Sequence, residues 1–93
     1  MRIIGNIEHP NLKISVFKND GRSSVKFETS LYEQTFKLGD DERFSTLEGV
    51  QKLVDAPMLE KIMEGFRQMH CTRLEVMARL FPVPEEVIFE EII

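Results

Sequence analysis

The chain has no tryptophan, one tyrosine and one cysteine in 93 residues, and no long apolar run. Each shortage excludes something. A lone Cys71 leaves no internal disulfide framework and no multi-cysteine zinc site, and it suits a reducing compartment. No window approaches the roughly 18 apolar residues of a membrane span. The opening residues, Met-Arg-Ile-Ile-Gly-Asn-Ile-Glu, reach an acid too soon for a secretory signal. Positive charge is also short: 12 Lys and Arg against 16 Asp and Glu give a net charge of −4. That balance disfavours non-specific attraction to nucleic acid or to an anionic membrane, since both depend on excess cations. The expectation is a soluble cytoplasmic protein.

Motifs that carry chemistry are missing too. There is no glycine-rich phosphate loop, Walker sequence or dinucleotide fingerprint. His9, His70 and Cys71 show no ligand spacing of the His-x3-His or Cys-x2-Cys kind. Asp40, Asp41 and Glu42 are adjacent acids without calcium-loop spacing. His70 and Cys71 are sequence neighbours, so on a helix they point about 100° apart and cannot pair. A nucleophilic thiol needs a base beside it, and none is supplied locally. The sequence therefore points to no enzyme, no metal and no cofactor.

What is present is ordinary globular composition, 42% hydrophobic and 30% charged, in a length that suits a single domain spanning 1–93. Ile3, Ile4 and Ile7 read as a short first strand, with Gly5 marking a bulge or a close backbone approach. Pro10 ends it. Leu12, Ile14 and Val16 then alternate with Lys13, Ser15 and Phe17, the period of a half-buried strand. Asp20-Gly21 follows, a preferred centre for a two-residue hairpin whose positions both need positive φ. A loop there pairs Val16 with Val25, Ile14 with Phe27 and Lys13 with Glu28, so pattern and turn agree on one register. A third meander strand runs over 31–38, with Tyr32, Gln34, Phe36 and Leu38 on one face. Its register stays open, because Thr29-Ser30-Leu31 is a poor turn by composition.

Ser45-Thr46-Leu47-Glu48 has the form of a capping box with serine as the cap, opening a short helix over about 46–54. Asp55 as N-cap and Pro57 in the first turn then open a long amphipathic helix over 56–81. Pro82 and Pro84 close it, and a tail over 83–93 reads equally as helix or strand. The fold class is α+β: a three- to four-stranded antiparallel meander over 2–38, covered on one face by the two helices. The expected core is Ile3, Ile14, Val16, Val25, Phe27, Phe36, Leu47, Val50, Leu59, Ile62, Met63 and Phe66.

The long helix carries more apolar surface than such a sheet can cover. Leu59, Ile62, Met63, Phe66, Met77, Leu80 and Phe81 lie on one arc, interrupted by His70 and Arg73. A helix of this length is about 36 Å long at 1.5 Å per residue. A sheet of three or four strands, at about 4.8 Å per strand, is narrower. The second half of the helix and the tail thus form the candidate interface, made of Met69, His70, Arg73, Leu74, Met77, Leu80, Phe81, Ile88, Phe89 and Ile92. A homodimer is the cheapest way to bury it.

An alternative places single-stranded nucleic acid on the opposite sheet face, using Lys13, Phe17, Lys26 and Lys37. The order of elements, an antiparallel meander followed by a long helix, is similar to that of the single-stranded-DNA-binding transcriptional coactivators. That resemblance of arrangement implies a transcription-associated role.

Overall fold

The computed structural model describes residues 2–81. The expectations for Ile88, Phe89, Ile92 and the rest of 83–93 lie outside the described residues. Four strands come first, β1 (Arg2–Ile7), β2 (Lys13–Asn19), β3 (Arg22–Glu28) and β4 (Glu33–Gly39). They form one antiparallel sheet in the order β1-β2-β3-β4. A 3-10 turn (Glu42–Phe44), α1 (Leu47–Leu53) and α2 (Ala56–Leu80) follow, completing the α+β plan. No helix among the described residues is long and apolar enough to cross a membrane.

The central hairpin has the register that pattern and turn require. Val16 faces Val25, Ile14 faces Phe27 and Lys13 faces Glu28. Asp20 and Gly21 both take positive φ, 53° and 77°. The β3–β4 turn works differently, and this is why composition hid it. The Thr29 amide donates to the Tyr32 carbonyl at 2.8 Å, and the Thr29 hydroxyl accepts from the Tyr32 amide at 3.0 Å. A threonine side chain supplies the turn that glycine or asparagine would otherwise signal. The resulting register sets Phe27 against Gln34 and Val25 against Phe36.

Gly5 serves both purposes expected of it. The β1–β2 register shifts between Ile3 and Gly5, and a Cβ on Gly5 would lie 2.5 Å from Leu47 Cδ2. The bulge corrects the expected core. Ile3 is paired with Phe17 on the face away from the helices and is 57% exposed. Phe36 stays on the helix side, edge-on to Phe27 with ring centroids 6.0 Å apart. It sits on the edge strand, however, and remains 41% exposed. The buried centre is Leu12, Ile14, Val16, Val25, Phe27, Val50, Val54, Ile62 and Phe66, with Leu47, Leu59 and Met63 packed around it.

The cap of α1 also differs from the expected box. Thr46 is the N-cap, and its hydroxyl accepts from the Gly49 amide at 3.1 Å. Ser45 is already committed to closing the 3-10 turn, where its amide and hydroxyl both donate to the Glu42 carbonyl. Two side chains from the hairpin fix this connection to the sheet. Ser23 donates to the Phe44 carbonyl at 2.6 Å, and its cross-strand neighbour Lys18 donates to the Ser45 carbonyl at 3.0 Å.

At the head of the turn, Asp41 accepts from the Arg43 guanidinium and then from the Arg43 amide, which together hold its carboxyl down to about 2 from an ordinary 3.8. A carboxyl depressed on folding contributes stability above its unfolded value and loses it as pH falls through the folded one. The Arg43 amide resonance should therefore titrate with a midpoint near 2 in an NMR pH series. Both side chains lie at the surface, so global stability should change little over that range.

Candidate interaction surface

Asp55 starts α2 as expected, accepting from the Met58 amide at 3.0 Å, with Pro57 in the first turn. The helix then runs antiparallel to β4. Gln34 Nε2 donates to the Ile62 carbonyl at 3.0 Å, and further along the Tyr32 hydroxyl meets His70 Nδ1 at 3.0 Å. α2 is also longer than the strand it passes. A seven-residue strand spans roughly 23 Å, whereas the 25 residues of α2 span about 38 Å.

The burial of α2 follows that difference. Ile62, Phe66 and His70, spaced i, i+4, i+8, are its buried residues. Beyond His70 the same side of the helix emerges from the sheet. Leu74, Met77, Leu80 and Phe81 are 37%, 43%, 65% and 64% exposed, and Arg73 is exposed with them. The radius of gyration is 16.6 Å, against about 12 Å for a compact domain of this size. The apolar arc is one continuous feature, half buried in the core and half exposed.

The residues expected at this interface therefore divide. Met69 is half-buried and packs against the core. His70 is 6% exposed, hydrogen-bonded to Tyr32 and edge-on to its ring at 5.9 Å. It is the last member of the internal core. Arg73, Leu74, Met77, Leu80 and Phe81 form the free end. The Tyr32–His70 pair was not legible beforehand, because its members lie 38 residues apart. The usable signal was the parity of Tyr32 with Gln34 on β4.

Among the described residues His70 Nε2 is buried with no hydrogen-bond partner, and the Tyr32 hydroxyl is the one polar contact of the ring. Tyr32→Phe should cost about 1 kcal/mol, since it leaves both ring nitrogens unpaired. Thermal denaturation of the two proteins side by side measures it.

The opposite sheet face brings Lys13, Phe17, Lys26 and Lys37 onto one surface, where Lys26 is already paired. Lys26 lies 3.6 Å from the Glu28 carboxylate, 3.9 Å from that of Glu33, and 5.3 Å from the centre of the Phe17 ring. Lys13 is opposite Glu28 in the ladder. Lys37 faces Ser24 and is exposed. Cys71 is exposed, and no group of three or more His, Cys, Asp or Glu among the described residues could hold a metal ion.

The class these observations define is a two-layer α+β domain with a protruding amphipathic helix. No protein-family model matches the chain, and no curated protein or solved structure is significantly similar to it.

Proposed function

We propose that the protein is a non-enzymatic interaction module that self-associates through the free end of α2. One observation carries this reading: Leu74, Met77, Leu80 and Phe81 continue the buried arc of Ile62, Phe66 and His70 past the end of the sheet. Large apolar side chains gathered on one helix face are ordinarily covered in a folded protein, and grouped exposure marks a contact surface. A second copy presents the same stripe, so a two-fold contact is self-complementary. Arg73 within the stripe would form the polar part of the contact, as arginine often does at interfaces. The sequence after Phe81 holds further apolar residues, Ile88, Phe89 and Ile92.

The test is substitution of the stripe. Leu74→Asp with Met77→Asp is expected to halve the mass measured by light scattering while leaving the helix content intact. An unchanged mass would count against the reading. Nucleic acid on the Lys13, Phe17, Lys26 and Lys37 face is the competing proposal, and the pairing of Lys26 with two glutamates weakens it. Fluorescence anisotropy with a single-stranded oligonucleotide at low salt separates them. Absence of binding there removes the competitor.

A further inference from the structure

We infer that the edge strand β4 is a second self-association surface, at which two copies pair antiparallel about Thr35. The sheet has two edges, and they differ. β1 is broken by the bulge between Ile3 and Gly5, a device that blunts an edge against pairing. β4 keeps a regular register with β3 from Glu33 to Lys37, and Glu33, Thr35, Phe36 and Lys37 are all exposed.

The direction of the free backbone groups follows from the ladder. Thr29 and Tyr32 are a hydrogen-bonded pair, with the Thr29 amide donating to the Tyr32 carbonyl. Antiparallel pairs alternate between bonded and non-bonded. Gln34 and Phe36 therefore bond to β3, and the N–H and C=O groups of Glu33, Thr35 and Lys37 point outward.

A two-fold axis at Thr35 sets these three residues against one another in the bonded positions: Glu33 opposite the second copy's Lys37, Thr35 opposite Thr35, and Lys37 opposite Glu33. Every outward backbone group from Glu33 to Lys37 then finds a partner. Both charged pairs are of opposite sign, a favourable cross-strand arrangement. Sliding the axis by one residue, to Gln34 or to Phe36, keeps the backbone parity but sets neither glutamate against a lysine. Lysine on an edge ordinarily discourages pairing. Here the strand's own charge order answers it, so a second copy of this chain fits better than an arbitrary strand.

This surface is separate from the end of α2, so an assembly using both contains more than two copies. Thr35→Pro removes an outward N–H that β3 does not use, a position where an edge strand tolerates proline. Light scattering is run in the Leu74→Asp, Met77→Asp background to isolate the edge. That protein is expected to be a dimer, and adding Thr35→Pro should reduce its mass twofold to the monomer. Lys37→Glu should do the same by opposing two glutamates, and Glu33→Lys added to Lys37→Glu should restore the dimer with the charges exchanged. The rescue separates lost pairing from lost folding. A monomer in the background protein, or a dimer indifferent to Thr35→Pro and Lys37→Glu, overturns the inference. A wild-type dimer that the α2 substitutions reduce to monomer overturns it while leaving the role of α2 intact.

Discussion

Phe66→Ala should remove about 3–5 kcal/mol of stability, measured as a loss in denaturant midpoint at constant slope. Phe66 is fully buried, in the middle of the covered half of α2, between Ile62 and His70. It belongs to the same core cluster as the sheet residues Ile14, Val16, Val25 and Phe27. Truncation removes the transfer energy of a phenyl ring and leaves a cavity that a two-layer core has few side chains to fill. Total stability for a domain is about 5–15 kcal/mol, so this one change takes a large share. Phe81→Ala, at the exposed end of the same helix, should cost the isolated protomer far less. The contrast between the two phenylalanines reads directly where the core stops.

Gly49→Ala should destabilise by about 2–3 kcal/mol, although alanine is the better helix former by about 1 kcal/mol. A Cβ at Gly49 would lie 2.0 Å from the Arg43 carbonyl oxygen, which is backbone and is held by the 3-10 turn. Neither side can yield. Moving the carbonyl would disturb the adjoining Ser23 and Lys18 bonds that fasten this connection to the hairpin. Gly65→Ala is the informative control. Its Cβ would lie 2.9 Å from Gln34 Nε2, the end of a flexible side chain. Losing the Gln34 bond to the Ile62 carbonyl costs about 1 kcal/mol, which the gain in helix propensity offsets. Thermal melts should thus show a clear loss at position 49 and almost none at 65. Equal losses at the two glycines would refute the distinction between rigid and yielding neighbours.

Much of the fold could be read from residues wherever two independent local signals coincided. The central hairpin is the clearest case, since alternation and the Asp20-Gly21 turn demand the same pairing. Asp55 and Pro57 likewise mark the start of α2 through capping chemistry that acts within one turn of helix. The parts that escaped depend on contacts distant in sequence or on a side chain in an unusual role. Ile3 changes face because the β1 bulge precedes Gly5, which strand period alone does not locate. Thr29 makes a turn with its hydroxyl. Thr46 rather than Ser45 caps α1, because the neighbouring 3-10 turn claims the serine. Phe36 has the right face but the wrong strand position, and an edge cannot bury a ring from both sides.

The candidate surface was legible in the same uneven way. The surplus of apolar residues on the long helix is visible from its period and length. Where the core stops is not, because that depends on the direction in which α2 crosses the sheet. His70 shows the difference. A polar residue inside an apolar arc suggests a contact with a partner, but Tyr32 occupies it from within the chain and moves the boundary one turn later. The free surface begins at Arg73 and Leu74.

The most direct test of that surface is the mass of the intact protein by sedimentation equilibrium over a micromolar concentration series. An even multiple of the protomer mass, reduced twofold by Leu74→Asp with Met77→Asp, is the expected result. A monomer at every concentration contradicts it.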